Sequence, residues 1–199
     1  MNGALRIAVA DDEADMRDWF ERMLPTLGHQ VISVAENGKE LVEHCRALRP
    51  DLVITDIKMP DMDGIEAAQA ICSERPVPII LISAYHDSEL IERAEADHVL
   101  AYLVKPIGKA ALGPAIGLAM RRFEELQALR KEAADLRQTL SDRRVIEQAK
   151  GVLMKVTGLD ERAAFRRLQE LAADKNQKLI DAAQAVLALE KALRPPSES

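Results

Sequence analysis

The first 120 residues alternate short apolar runs with amphipathic helical stretches, and this alternation constrains the fold more than any other feature of the chain. Apolar runs fall at Leu5–Ala10, Val31–Ala35, Leu52–Ile54, Val77–Ile82 and Val99–Val104. Helical patterns lie between them, at 14–27, 37–48, 64–73 and 87–96, and again from 109 onward. Strands alternating with helices build βαβ units, in which parallel strands pair and helices cover both sheet faces. Five such units predict an α/β fold, a flavodoxin-like, doubly wound five-stranded parallel sheet with its ligand site at the carboxyl ends of the strands.

From Lys109 the helical pattern meets no Gly or Pro stop; Pro114 falls within the first two turns, where proline is tolerated. Leu126, Leu129, Ala133, Leu136 and Leu140 then recur at alternating spacings of three and four, with charged residues such as Arg130, Lys131 and Glu132 between them. That is a coiled-coil seam of about two heptads, or else an amphipathic helix folded back on its own domain. A second stripe, Val145, Ile146, Ala149, Val152, Leu153 and Val156, ends at Thr157-Gly158. Asp160 is placed to cap a helix carrying Ala163, Ala164, Leu168 and Leu171, and 174–178 reads as a polar loop. A last helix uses Leu179, Ala183, Val186 and Leu187 and stops before Pro195-Pro196. The expected organisation is therefore a domain over 1–122, a coiled-coil helix over 123–140 and a three-helix all-α domain over 141–194.

With 48% hydrophobic and 30% charged residues the chain can bury a core, whereas 3% aromatics argue against a single-strand binder built on stacking platforms. Its longest uninterrupted apolar runs fall far short of the ~18–20 residues that cross a bilayer. Met1–Ala10 lacks the features of a secretory signal, so a cytoplasmic protein that does not enter membranes is expected. Cys45 and Cys72 have no CxxC spacing and read as reduced thiols. Residues 1–140 hold 16 Lys and Arg against 24 Asp and Glu, while 141–199 hold 11 against 9. The helical end is thus mildly basic, a property compatible with a nucleic-acid partner.

The chemistry lies at strand ends. Leu5–Ala10 leads into Asp11-Asp12, and Leu52–Thr55 into Asp56; in a doubly wound sheet these ends are neighbours. Clustered carboxylates are costly without a cation, and hard oxygen donors suit Mg²⁺. Val77–Ile82 ends at Ser83, and Val99–Val104 at Lys105-Pro106. Carboxylates, a hydroxyl and an ammonium form a set suited to phosphoryl transfer, with a carboxylate attacking phosphorus and the cations offsetting negative charge.

At these residues the sequence resembles the receiver domain of two-component response regulators. The matching motifs are Asp11-Asp12-Glu13, Asp56, Lys58-Met59-Pro60, Asp63-Gly64, Ser83-Ala84 and Tyr102-Leu103-Val104-Lys105-Pro106, spanning about residues 4–122. The resemblance implies Asp56 as phosphoacceptor, with Asp12, Asp56 and the Lys58 backbone carbonyl on Mg²⁺ and Asp11 shaping the metal pocket through a water. It further implies Ser83 hydrogen-bonding the phosphoryl group, Lys105 pairing with it, and Tyr102 switching rotamer. A sensor histidine kinase is the implied donor, and the domain would catalyse only its own phosphorylation and dephosphorylation. Lys105-Pro106 resembles the cis X-Pro bond of such domains, and His98 stands where they carry Gly. Glu13 and Asp15 lie beyond the strand end, where helix N-cap and helix-dipole roles explain them.

The helical end resembles the ANTAR family of RNA-binding transcription antiterminators. The motifs are Arg143-Arg144-Val145-Ile146-Glu147-Gln148-Ala149-Lys150-Gly151-Val152-Leu153-Met154, then Asp160-Glu161-Arg162-Ala163-Ala164-Phe165-Arg166-Arg167-Leu168, Ala172, Asn176, Lys178-Leu179 and Ala182-Ala183. Hairpin RNA is the implied ligand, and Arg143, Arg144, Gln148, Lys150, Lys155, Arg166, Arg167, Asn176 and Lys178 are the candidate contacts. Residues 143 and 150, and 144 and 155, are spaced to share helical faces. Phe165 and Met154 read as core. Gly151, costing ~1 kcal/mol against Ala in a helix, is expected to admit a close helix or RNA backbone. The reading is a phosphorylation-controlled antitermination regulator that dimerises through the seam when phosphorylated. A DNA-binding regulator and a protein-interaction module are the alternatives.

Overall fold

The computed structural model describes residues 3–83 and 99–193. Contacts divide the chain into two compact units, Met1–Ala128 and Leu129–Ser199. In the first, strands β1 (Arg6–Ala10), β2 (Gln30–Ala35), β3 (Leu52–Asp56), β4 (Ile79–Ser83) and β5 (Val99–Val104) form one sheet ordered β2-β1-β3-β4-β5. Every pairing is parallel. This is the doubly wound order expected from the alternating pattern. The expected helix at 87–96, together with His98, lies outside the described residues.

Successive strand side chains point to opposite faces, and the core divides accordingly. Ala8, Ala10, Val53, Ile79 and Leu81 pack with Leu41, Val42 and Cys45 of helix α2 (Gly38–Leu48) and Ile65, Ala68 and Ile71 of α3 (Gly64–Glu74). Ile7, Val9, Leu52, Ile54, Ile80 and Ile82 pack with Phe20 and Leu24 of α1 (Ala14–Thr26) and with Leu112, Ile116 and Ala119 of α4 (Lys109–Thr157). Both faces are covered, so β3 and β4 are buried at every residue and read in the sequence as continuous apolar runs. Helix α1 ends where Gly28 takes φ 84°, and the amides of Gly28 and His29 return to the carbonyls of Pro25 and Leu24.

The α4 helix includes Pro114 and runs through the seam. Leu126 joins the apolar core of the first unit, whereas Leu129, Leu136 and Leu140 are about 60% exposed. In the second unit, the last part of α4 packs with α5 (Glu161–Asp174) and α6 (Leu179–Leu193) around Ala149, Leu168, Ala172, Ala182 and Ala183. Asp160 caps α5, its side chain accepting from the Ala163 amide. Three residues expected in this core are exposed: Met154, Phe165, and Val156 at 73%. The helical stripe ends one turn earlier than its sequence pattern because only Val145, Ile146, Ala149 and Leu153 meet the other two helices.

Candidate functional site

The sheet brings its chemistry together at the carboxyl ends of β1, β3, β4 and β5. Asp11 follows β1 and is fully buried; Asp56 closes β3 at 6% exposure; Ser83 closes β4 at 1%. Lys105 follows β5, its amide held by the Ser83 carbonyl at 2.9 Å, and a cis Lys105-Pro106 bond comes next. The Lys105 ammonium reaches three carboxylates. It lies 3.1 Å from Asp56 Oδ1, 3.1 Å from Asp11 Oδ2 and 2.8 Å from Glu13 Oε1.

These contacts set the titration of the group. Burial raises the Asp56 carboxyl, opposed by the Lys105 charge and reinforced by that of Asp11, and the balance pushes it up to about 6. Burial likewise raises Asp11. Burial alone would lower Lys105, but its hydrogen bond to Glu13 and the charges of Asp56 and Asp11 outweigh that and hold it above its ordinary value. Lys105 therefore stays a cation beside a carboxyl whose charge is costly, so any further positive charge nearby favours ionised Asp56.

The acidic end is braced from several directions. The Lys58 amide donates to Asp56 Oδ2 at 2.9 Å and the Glu13 amide to Asp11 Oδ1 at 3.0 Å. Arg17 donates to the carbonyls of Asp11 and Asp12 and pairs with Glu36. Gly64 lies so close to β3 that a Cβ built there would stand 2.0 Å from the Asp56 carbonyl oxygen. Only glycine fits at that distance.

Two buried polar atoms remain without hydrogen-bond partners among the described residues: Asp11 Oδ2, which Lys105 approaches without hydrogen-bond alignment, and Ser83 Oγ. Buried polar groups ordinarily find partners, so both atoms suit a site completed by a ligand. Oxygens of Asp11, Asp12 and Glu13 lie within 4.8 Å of one another. An all-oxygen set of exposed Asp12 and Glu13 with buried Asp11 fits a hard divalent cation that keeps some of its waters, and Asp56 is not among the oxygens grouped within that distance.

In the helical unit, Arg143, Arg144, Gln148, Lys155, Arg166, Arg167, Asn176 and Lys178 are exposed, and Arg167 pairs with Glu170. Lys150 departs from expectation. It is 7% exposed, with its ammonium 2.9 Å from Glu147, 2.8 Å from Glu161 and 5.8 Å from the Phe165 ring centroid. Hydrogen bonds to Glu161, then Glu147, raise its pKa, so it remains charged and neutralised inside the fold. Lys150 thus ties α4 to α5 rather than being presented to a phosphate. Phe165, expected in the core, is 36% exposed above it. Gly151 packs against no helix of this chain: an added Cβ would meet nothing within 4 Å among the described residues.

Residues 7–116 match the response regulator receiver domain family, and residues 134–187 match the ANTAR domain family. The chain is a response regulator with an ANTAR output. A relative over nearly its whole length is the transcriptional regulatory protein PdtaR of Mycobacterium tuberculosis, 41% identical over 182 residues that cover 92% of this chain and 89% of that one. Among solved structures, the signal receiver domain of a modulated diguanylate cyclase from Desulfovibrio desulfuricans G20 matches at 29% identity and a TM-score of 0.57. That match covers 61% of this chain and 97% of that chain. A response regulator receiver domain protein from Clostridium thermocellum matches at 27% identity and a TM-score of 0.56, covering 61% and 98%.

In the receiver domain, Asp11, Asp56 and Lys105 meet as expected, Ser83 lies at the neighbouring strand end, and Tyr102 is half-buried on β5 against the apolar core under α2 and α3. Glu13 and Gly64 are the site residues whose roles were missed. Glu13 does precede α1, but its side chain makes no cap and instead pairs with Lys105. In the ANTAR domain, Asn176 sits at φ 48° after α5, and the amides of Asn176 and Gln177 return to the carbonyls of Ala173 and Ala172. That left-handed turn accounts for an asparagine there, whatever else its exposed side chain meets. No helix among the described residues is long and apolar enough to cross a membrane.

Proposed function

We propose that this response regulator is phosphorylated on Asp56 by a sensor histidine kinase and that phosphorylation controls binding of hairpin RNA by its ANTAR domain, in transcription antitermination in the cytoplasm. The observation that carries the phosphoryl half is the convergence of Asp56 and Asp11 on Lys105 through 3.1 Å contacts, with a buried Ser83 hydroxyl at the neighbouring strand end that lacks a partner among the described residues.

Asp12, Asp56 and the Lys58 backbone carbonyl would hold Mg²⁺, with Asp11 placing one of its waters; the ion supplies charge neutralisation when bound. Asp56 Oδ1 attacks the phosphorus, a P–O bond forms, and the bond from phosphorus to the donor imidazole nitrogen breaks, the leaving nitrogen taking its electron pair. Lys105 turns from the Asp56 carboxylate to the phosphoryl oxygens, and Ser83 Oγ–H donates to one of them. The acyl phosphate carries about −1.5 to −2 charges in place of the single charge of the Asp56 carboxylate, at a point where Lys105 already pairs with three carboxylates. Glu13, sharing Lys105, would lose that partner.

Shared helix α4 offers the route outward. Its exposed Leu129, Leu136 and Leu140 form an apolar stripe that a second copy would cover, so the phosphorylated form is read as a homodimer. The receiver catalyses only its own phosphorylation and dephosphorylation. The test is intact-mass measurement after incubation with a small phosphodonor and Mg²⁺, followed by crosslinking of hairpin RNA to the same samples. One added phosphoryl group on wild type and none on Asp56→Asn is expected, with hairpins recovered from the phosphorylated form. Equal phosphorylation of the variant, or capture of duplex DNA in place of RNA, would overturn the reading.

A further inference from the structure

Glycine inside a helix is unfavourable because it loses more backbone freedom than alanine. Gly151 lies within α4, is exposed, and a Cβ added there would meet nothing within 4 Å among the described residues. Among the described residues nothing requires a glycine there. Its effect is instead to leave bare the floor of a groove of about 580 Å³, within the roughly 300–1,000 Å³ of ligand pockets. On the α4 side the groove is lined by Gln148, Gly151, Val152 and Lys155. Across it stand Leu187 and Lys191 of α6, with Glu190 as the one carboxylate on the rim.

The lining has a definite chemistry. Val152 and Leu187 are half-buried and, with the side-chain-free backbone at Gly151, supply the apolar part of the lining. Lys155 and Lys191 put a cation on either wall, and Gln148 offers both a donor and an acceptor. Residues 144, 148, 151 and 155 recur at helical spacing, so Arg144 extends the same face of α4. Lys150 lies on a different face and is consumed by Glu147 and Glu161, whereas Arg144, Lys155 and Lys191 on this side are exposed. An unstacked nucleobase matches such a lining: its plane is apolar, its edge is polar, and a phosphate lies on each side of it. A partner helix would meet two lysines where it needs apolar walls.

We propose that this groove receives one unstacked base of a hairpin loop, resting on the RNA-binding reading above. Gly151 lets the base lie against the α4 backbone, Gln148 reads its edge, and Lys155 and Lys191 hold the flanking phosphates. The test uses the full-length chain, treated with phosphodonor, and a pool of RNA hairpins with randomised loops. Thermal unfolding and filter binding are measured on the same samples.

Gly151→Ala should unfold at a higher temperature than wild type and yet bind the pool about tenfold more weakly, because the added methyl group holds the base off the helix backbone. Gly151→Leu, which fills the groove, should bind about a hundredfold more weakly. Lys155→Gln and Lys191→Gln should each lower the salt dependence of binding by about one counterion. Wild-type affinity in folded Gly151→Ala and Gly151→Leu overturns the groove while leaving RNA binding intact. Loss of dimer in sedimentation alongside loss of RNA identifies a second copy as the occupant and also overturns it. A wild-type chain that binds no hairpin removes the RNA reading itself, before any variant is made.

Discussion

Leu168 is the place to test whether the output domain is held as its packing implies. Among the described residues, one buried apolar cluster centres this unit; it joins Leu168 to the alanines Ala149, Ala172, Ala182 and Ala183, and Ala164 is buried as well. Leu168, fully buried, is therefore the one large side chain at the centre, surrounded by half-exposed Val145, Ile146, Leu153, Leu171 and Leu179. Leu→Ala in a core costs roughly 2–5 kcal/mol, more where neighbours cannot collapse into the space. Alanine neighbours have no reach, so the upper half of that range, about 3–5 kcal/mol, is expected here. At roughly 0.05–0.15 kcal/mol per residue a unit of this size has only about 3–10 kcal/mol in total. Leu168→Ala should thus remove a large share of its stability and bring it close to unfolding. Urea denaturation of the full-length chain followed by circular dichroism measures this, with Leu168→Met, costing less than about 1.5 kcal/mol, as the volume-conserving control. Phosphorylation of Asp56 should proceed normally in both. A loss below about 1 kcal/mol in Leu168→Ala would refute a core centred on this residue.

Gly64→Ala would drive a methyl group to 2.0 Å from the Asp56 carbonyl, displacing the phosphoacceptor's own backbone. Phosphorylation by a small donor should slow by about tenfold or more at a stability cost of roughly 1–3 kcal/mol, and a wild-type rate in an intact-mass time course would contradict this. The Asp56 carboxyl titrates near 6 in the fold against 3.8 when unperturbed, so between these values the folded state binds the extra proton. Receiver stability should therefore fall through this group as pH rises from 3.8 towards 6 and level off above, while reactivity fades as pH drops through about 6. A carbon-detected NMR titration without metal should place its midpoint near 6, and added Mg²⁺ should lower it; a metal-free midpoint near 3.8 would be inconsistent with the burial of Asp56. Replacing both Leu129 and Leu136 with Lys puts charges into the exposed stripe of α4 and should abolish the phosphorylated dimer in sedimentation. An unchanged dimer fraction would move dimerisation to another surface.

Much of the receiver was legible because its strands are buried on both faces, which forces continuous apolar runs, and because its reactive residues stand where those runs end. Asp11, Asp56, Ser83 and Lys105 could be placed from that pattern alone. Glu13 could not, since an acidic residue ahead of a helix has an adequate local explanation, and only the fold carries Lys105 across from β5 to meet it. Gly64 was visible as a motif residue, but the 2.0 Å approach behind it is a tertiary fact. The output helices were harder to orient. Their faces are mixed, and spacing assigned Lys150 to a basic face without showing that Glu147 and Glu161 claim it. Phe165 and Met154 were misplaced for a related reason: alanines at the centre let the helices pack with few large side chains inside, which leaves larger ones on the surface. The turn at Asn176 carries its own signal, an asparagine suited to a left-handed residue just past a helix end.

Hairpin affinity measured with and without phosphodonor, in wild type and in Asp56→Asn, tests the coupling of the two domains most directly. Phosphorylation should tighten wild-type binding by about tenfold or more, a coupling free energy of roughly 1.4 kcal/mol, and leave the variant unchanged. Equal affinity of phosphorylated and unphosphorylated wild type, or a response that persists in Asp56→Asn, would contradict phosphorylation-controlled RNA binding.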